Sequence, residues 1–293
     1  MKSIAKQSSR KKAFTIIELL TVMSIIVILI GVLVPALNNV KRFATKVKQK
    51  AQFNSIASAM ELFSSENDGY PPSTAVDGTG QPYCGAMKLC EAMMGRDLLG
   101  FHPDSVFRAD GLDSTGTRAV YPVPPSESNL TARLRPLLQD DNANAYRLSE
   151  IYGTGNTNPF QENIFVLCDV YTRNMRTGQK TGMPILYYKA DTSNYLHDPN
   201  RAPEPLNSNG NIYNYWDNQS LVALGKPWEQ AGSTSQPHSL ENIARFYRNT
   251  RNHQVTNVSR PYRPDSYILI SAGFDGEYGT ADDICNFEWK YRE

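Results

Sequence analysis

A single carboxylate stands near the start of a long apolar stretch. Glu18 is followed by nineteen residues, Leu19 to Leu37, none of which carries a charge. An ionisable group in a stretch of membrane length is costly in lipid, so it indicates a function that involves a charged partner. The alternative is that Glu18 lies at the membrane interface and its carboxylate reaches water.

A second group of carboxylates lies near the other end of the chain. Asp275, Asp282 and Asp283 fall within the glycine-rich residues 271–284. Glycines permit tight turns that bring side-chain and backbone oxygens together, and calcium takes about six to eight such oxygens. The spacing is not that of an EF-hand. We expect a structural calcium site here, and the alternative is a turn capped by its own aspartates.

Other residue types that carry chemistry form no recognisable catalytic pattern. The sequence contains no Gly-x-Ser-x-Gly, no His-Glu-x-x-His and no phosphate-binding loop. The histidines are scattered at positions 102, 197, 238 and 253. We therefore predict no catalytic residues and no enzymatic activity.

The four cysteines, at positions 84, 90, 168 and 285, fit no metal-binding spacing. Outside the cytoplasm, Cys84 and Cys90 could form a disulfide that closes a short loop. Free buried thiols are the alternative, since sequence alone does not fix the pairing.

The N-terminal segment has three possible interpretations. It could be a secretory signal peptide, although the apolar run is long and Val34-Pro35-Ala36 is a poor cleavage site. It could be a plain signal anchor, because nineteen uncharged residues span about 30 Å of hydrocarbon. It could also be a basic leader, residues 1–13, that is removed between Ala13 and Phe14 while the helix is retained.

Residues 11–20, KKAFTIIELL, resemble the N-terminal motif of type IV pilins and of the pseudopilins of type II secretion. The resemblance implies cleavage by a prepilin peptidase after Ala13, where the family usually has glycine, and methylation of the new amine of Phe14. It also implies that Glu18 pairs with the N-terminal ammonium of a neighbouring subunit. Pro35 matches a family proline that kinks or locally melts the membrane helix.

The C-terminal stretch resembles the calcium loop of the major pseudopilin of type II secretion. Its pattern is Ser-x-Gly-x-Asp-Gly, then Gly-Thr-x-Asp-Asp-Ile. The resemblance implies the side-chain ligands Asp275, Asp282 and Asp283, together with backbone oxygens near Ser271, Ala272 and Glu277.

A long helix must position the N-terminal motif. We predict a transmembrane helix over 14–37 that continues as an amphipathic helix over 38–66, with a bend or opening at Pro35. It should end before Asn67-Asp68-Gly69. Its apolar face in the second half is predicted to comprise Val40, Phe43, Ala44, Val47, Ala51, Ile56, Ala57, Met60 and Phe63.

The remaining residues, 67–293, are predicted to form a loop-rich head with an insertion at about 73–183 and the calcium-type loop at 271–284. Short helices are expected over 84–99 and 240–247. Strands are expected over 163–171, 183–189 and 267–271. These strands should form a small antiparallel sheet across the outer half of the helix, so the predicted fold class is α+β.

The charges are unevenly distributed. Residues 1–13 carry five basic and no acidic side chains, and the remainder carries 25 basic and 29 acidic ones. This balance is not typical of a polyanion-binding protein, so nucleic acid is not our first choice of partner. A basic cluster at 41–50 could contact lipid headgroups or DNA, but a solvated helix face is the simpler interpretation.

Taken with the resemblance, these features indicate a fibre subunit most like the major pseudopilin. The implied partners are further copies of the chain, other pseudopilins, the prepilin peptidase, an inner-membrane assembly platform with its ATPase, and membrane lipid. The chain would cross the inner membrane once, with its head outside the cytoplasm, and enter a periplasmic filament. The alternatives are a minor pilin with an adhesive or DNA-binding head, and a membrane-anchored domain that never polymerises.

Overall fold

A computed structural model describes residues 15–201, 209–228 and 237–288. The fold is α+β, as predicted: a long N-terminal helix is followed by short helices and small antiparallel sheets joined by many loops. The chain divides into two compact units, Met1–Ala44 and Thr45–Glu293, and the long helix contributes to both.

The helices and strands alternate irregularly along the chain. The α-helices are α1 (Ile16–Glu66), α2 (Gly85–Met94), α3 (Glu127–Ala132), α4 (Asp140–Ala143), α5 (Leu148–Tyr152), α6 (Gln219–Val222) and α7 (Ile243–Thr250). The strands are β1 (Ala145–Arg147), β2 (Phe165–Leu167), β3 (Arg173–Asn174), β4 (Lys180–Thr181), β5 (Leu186–Lys189), β6 (Tyr267–Ser271) and β7 (Ile284–Cys285). Short 3-10 helices cover Pro199–Arg201, Tyr215–Asp217 and Ser239–Glu241.

Helix α1 has nearly the predicted bounds. Its 51 residues run through Pro35 without interruption, so the opening expected at that proline is absent from this structure. The helix ends where Asp68 and Gly69 adopt positive φ values of 54° and 125°. It is long and apolar enough to cross a membrane, and its most hydrophobic window has no residue buried within the protein.

The second half of α1 forms part of the core of the Thr45–Glu293 unit. The predicted apolar face is confirmed at Ile56, Met60 and Phe63, which are almost fully buried. It is wrong at Val40, Phe43 and Val47, whose side chains are exposed. The buried face instead begins with two glutamines, and its members are Gln49, Gln52, Phe53, Ile56, Ala59, Met60 and Phe63.

Gln49 and Gln52 attach α1 to the rest of this unit through buried hydrogen bonds. Gln52 Nε2 donates to the carbonyls of Asn142 and Cys168, each at 2.9 Å. Gln49 Nε2 donates to Gln52 Oε1 at 3.0 Å, and Gln49 Oε1 accepts from the Val170 N–H at 2.9 Å. Buried polar groups are stable when paired in this way. The helix therefore docks through specific polar contacts as well as apolar packing.

The main sheet has the order β5-β6-β7 and is antiparallel throughout. Leu186 of β5 lies opposite Ile270 of β6, and Ser271 of β6 lies opposite Ile284 of β7. The segment predicted as a strand over 163–171 contributes β2, which pairs with β1 rather than joining this sheet, although Cys168 forms an antiparallel bridge with Pro184, just before β5. The place expected for that segment is taken by β7, so the residues on both sides of the acidic loop belong to one sheet.

Helix α2 is shorter than predicted and is buried at all ten positions. The four cysteines carry free thiols, so of the two alternatives for Cys84 and Cys90 the structure has the free thiols and not the disulfide. Cys84 is the N-cap of α2 and Cys90 lies inside the helix. Six residues rise about 9 Å along a helix, which exceeds the usual Cα separation of about 4.4–6.8 Å in a disulfide.

Candidate functional site

The N-terminal end of α1 is capped by its own side chains. The Thr15 N–H and hydroxyl donate to Glu18 Oε2 at 2.9 and 2.8 Å, and the Glu18 N–H donates to Thr15 Oγ1 at 3.2 Å. This reciprocal pair is a capping box, and the Thr-x-x-Glu spacing is its usual sequence signature. Glu18 therefore has a local role in starting the helix, which was not predicted, besides the pairing expected of it.

The capping box has a consequence for the assembly role predicted for Glu18. In the single chain, Glu18 Oε2 accepts both bonds from Thr15, and because a carboxylate has a second oxygen and several lone pairs, pairing with a neighbour's ammonium does not require these bonds to break. The predicted cleavage position, between Ala13 and Phe14, lies outside the described residues.

The acidic loop connects β6 to β7, so both of its ends are held in the main sheet. Gly273 lies at a φ of +66°, and a Cβ there would be 2.3 Å from the Asp282 carbonyl oxygen. A side chain at this position would therefore force the two arms of the loop apart. Glycine allows the close approach that brings residue 282 back beside the start of the loop.

Two carboxylates meet inside the loop. Asp282 Oδ2 accepts from the Asp275 N–H at 2.9 Å, and Asp282 Oδ1 accepts from the Thr280 hydroxyl at 2.7 Å. Burial and the neighbouring Asp282 raise the pKa of Asp275 to about 6. Burial acts to raise the pKa of Asp282 too, but the hydrogen bonds from Thr280 and Asp275 outweigh it, so that pKa is lowered.

The third predicted ligand, Asp283, has a different environment. Its Oδ2 accepts from the Gly279 N–H at 2.7 Å, and its side chain lines a separate cleft beside Lys46 and Lys50. Burial, with the nearby carboxylates of Asp275 and Asp282, raises the pKa of Asp283 well above its usual value. The structure thus brings Asp275 and Asp282 together and directs Asp283 to a neighbouring backbone group.

The residues predicted to supply backbone oxygens make the following contacts. The Ser271 hydroxyl donates to Asp169 Oδ2 at 2.7 Å, and Ala272 is fully buried beside it. The Glu277 carboxylate forms an ion pair with Lys226 at 2.8 Å. The Glu277 carbonyl accepts from the Thr280 hydroxyl at 3.2 Å.

The donor chemistry of the loop suits calcium, which prefers carboxylate and carbonyl oxygens. Within the residues that the structure describes, no three His, Cys, Asp or Glu side chains are arranged to hold a metal ion together. The residues of the loop therefore fit a calcium site with two side-chain ligands, Asp275 and Asp282, and with backbone oxygens as the remaining ligands. The many hydrogen bonds to these carboxylates are equally those of an aspartate-capped turn.

Two charged residues at this site were not predicted from the sequence. Arg173 donates from Nη2 to the Phe274 carbonyl at 2.7 Å, and its guanidinium lies 3.9 Å from the centre of the Trp228 ring. Asp169 is buried beneath Ser271, and burial raises its pKa to about 7. Arg173 precedes the loop by about a hundred residues, so no local pattern indicates that it contributes positive charge here.

Comparison with known proteins gives one match. Residues 8–34 match the family model described as the prokaryotic N-terminal methylation motif. The matched segment includes the end of the basic leader, Glu18 and most of the apolar run. No curated protein and no solved structure matches the chain.

The motif supports a type IV pilin-like or pseudopilin-like protein. It implies processing by a prepilin peptidase and pilin-like assembly into filaments. Proteins with this motif are structural subunits rather than enzymes. With its apolar helix, the chain fits a membrane-anchored protein that crosses the bilayer once.

Proposed function

We propose that the chain is a structural subunit of a type II secretion pseudopilus, most like the major pseudopilin. The observation that carries this proposal is the methylation motif at residues 8–34, which continues directly into a 51-residue helix. The apolar side chains of the first part of that helix are exposed. A surface of this kind suits lipid before assembly and the helices of other subunits afterwards.

The proposed sequence of events begins in the inner membrane. The peptidase removes residues 1–13 and methylates Phe14, while the head remains on the periplasmic side. An ATPase-driven assembly platform then extracts the subunit into a filament with further copies and other pseudopilins. Glu18 pairs with the neighbouring N-terminal ammonium, because each charge is costly alone in an apolar environment. The pairing fixes the axial position of one subunit on the next.

The choice of the major pseudopilin rests on the acidic loop. We assign a structural calcium ion to this loop, held by Asp275 and Asp282 with backbone oxygens between 271 and 277. When bound, the ion would offset the repulsion between the two carboxylates, which adds to the effect of burial in raising the pKa of Asp275. Arg173 supplies part of this compensation in the ion's absence.

Deletion and complementation in the native host test the secretion role. Loss of the chain should abolish export of secreted proteins while leaving their synthesis intact, and the wild-type gene should restore export. The measurement is the abundance of exported proteins outside the cell and inside the periplasm. Normal export without the chain would contradict the secretion role and favour a pilus subunit or a static anchored domain.

Calcium removal tests the metal assignment. A ligand at about 100 times its Kd stabilises a protein by about 2.7 kcal/mol, which for a unit of this size corresponds to roughly 5–10 °C in Tm. We expect calcium to raise the Tm of the detergent-solubilised chain by this order relative to chelator. Asp282→Asn should remove the difference.

The matched control is Asp191→Asn. Asp191 caps an exposed turn through the Ser193 N–H at 3.0 Å and lies outside the loop. This variant should keep the calcium-dependent rise. An equal Tm in calcium and chelator for the wild-type chain would identify the loop as an aspartate-capped turn.

A further inference from the structure

Basic residues of the Thr45–Glu293 unit are concentrated in one segment. The unit as a whole has 23 basic and 28 acidic side chains. Residues 242–264 contain His253 and no acidic residue, yet they hold the arginines at positions 245, 248, 251, 260 and 263. Such segregation in an otherwise acidic unit is the electrostatic signature of a surface for an anionic partner.

The fold closes part of this segment into a hairpin. The Tyr262 N–H donates to the Thr250 carbonyl at 2.9 Å, and the Asn252 N–H donates to the Arg260 carbonyl at 2.7 Å. Arg251 and Pro261 form an antiparallel bridge between these bonds. These backbone contacts close a polar loop, residues 253–259, in which the apolar side chain of Val258 is 60% exposed.

The hairpin and helix α1 line a common cleft of about 440 Å³. Lys46 and Lys50, one turn apart on α1, face it together with His253. Tyr262 also lines the cleft, and its ring stacks on Phe287 at 4.6 Å. The acidic members of the lining are Asp283, which is buried, and Glu288 at the exposed rim.

The arginines differ in how firmly they are engaged within the protein. Arg263 Nε donates to the Tyr267 carbonyl at 3.1 Å, and Arg245 reaches the Gly279 carbonyl at 3.4 Å. Arg260 approaches Asp265 only at 3.9 Å, and both side chains are largely exposed. An exposed pair at that distance is weak, so Arg260 remains available to an external anion.

The position of these residues along the chain identifies the anion. Lys46 follows Leu37, the last residue of the apolar run, by nine residues. Nine residues of helix rise about 14 Å, so Lys46 lies near the end of the membrane segment. Clustered basic side chains near a membrane surface are attracted to anionic headgroups over about a screening length.

We propose that the basic residues Lys46, Lys50 and His253 of the cleft, with Arg260 on the facing arm of the hairpin, bind the headgroups of anionic phospholipids. Val258, exposed in the loop of the hairpin, adds an apolar contact at the membrane interface. This contact would hold the unassembled subunit against the bilayer and would be released on extraction. Binding requires only that the apolar helix crosses the membrane, so its failure leaves the filament role intact, whereas release on extraction rests on the proposed function.

The test uses the full chain in nanodiscs of neutral phosphatidylcholine, with or without phosphatidylglycerol. Hydrogen exchange of peptides covering 250–262 is measured in both. We expect exchange to be several-fold slower in the anionic discs. The difference should vanish in about 1 M salt, where the screening length falls to about 3 Å.

Charge reversal gives the matched comparison. The double variant Lys50→Glu/Arg260→Glu should lose the slowing. The control Arg135→Glu/Lys180→Glu makes the same charge change at exposed residues outside the surface and should retain it. Equal exchange in neutral and anionic discs, or equal behaviour of the two variants, would overturn the proposal. Slowing by duplex DNA in neutral discs, with none from anionic lipid, would assign the surface to nucleic acid instead.

Discussion

Replacement of Glu18 by alanine should leave the chain in the membrane but abolish filaments. Insertion should be unimpaired or improved, because the variant removes the acid from the apolar segment and an acidic side chain there is unfavourable. Assembly should fail because each neighbouring N-terminal ammonium loses its partner. Removing one member of a buried charge pair costs about 3–5 kcal/mol, roughly a hundred- to a thousandfold or more at every subunit contact.

Membrane fractionation and electron microscopy of filaments measure the two effects separately. Thr15→Ala is the matched control, because it removes the capping hydroxyl bonded to Glu18 and keeps the carboxylate. Loss of such a cap costs about 1 kcal/mol, so this variant should reduce filament number without abolishing it. Filaments of normal length and number from Glu18→Ala would refute the assembly role of this residue.

Ile56→Ala should produce a large loss of stability for a single change in the second half of α1. Ile56 is completely buried. Replacing a buried isoleucine with alanine removes apolar contacts and leaves a cavity, at a cost of about 2–5 kcal/mol. The measurement is denaturant or thermal unfolding of the full chain in detergent, followed by a signal from the aromatic residues of the Thr45–Glu293 unit.

Leu62→Ala provides the comparison on the same helix. Leu62 is 54% exposed, so its loss should change the stability by no more than about 0.5 kcal/mol. Similar losses from the two variants would mean that the second half of α1 does not pack through the face that contains Ile56.

The long helix was largely predictable because its signals are local. A membrane-length apolar run and the Asn67-Asp68-Gly69 stop fix its two ends from neighbouring residues alone. The apolar face was harder, because Phe43 and Val47 have the right spacing but lie outside the packed part of the helix. Gln49 and Gln52 were missed because their burial depends on backbone groups 90 or more residues away, the Val170 N–H for Gln49 and two carbonyls for Gln52.

The sheet shows the same division between local and distant information. Residues 267–271 were predicted as a strand with the observed bounds, since five consecutive residues of suitable type favour it. The partner β7 has only two residues, too few to show any periodicity. Without it, the apolar residues at 163–171 were the natural third strand, although β2 in fact pairs with β1.

At the acidic loop, the sequence pattern located the carboxylates but not their surroundings. Asp275 and Asp282 do lie together, as the spacing of glycines and aspartates suggested. Arg173 and Asp169 come to the loop from residues 100 or more positions earlier, so only the folded structure identifies them. Because Arg173 adds positive charge beside the loop, the loop's own residues do not determine how much negative charge a calcium ion would have to offset.

The N-terminus of the chain isolated from the membrane of its host tests the pilin-like assignment most directly. Intact-mass and peptide mass spectrometry should find a chain that begins at Phe14, with one methyl group on its amine. A chain that retains residues 1–13 would contradict processing by a prepilin peptidase and leave a static membrane anchor. A chain cut after the apolar run would contradict the pilin-like assignment altogether, because the helix that assembles the filament would be lost.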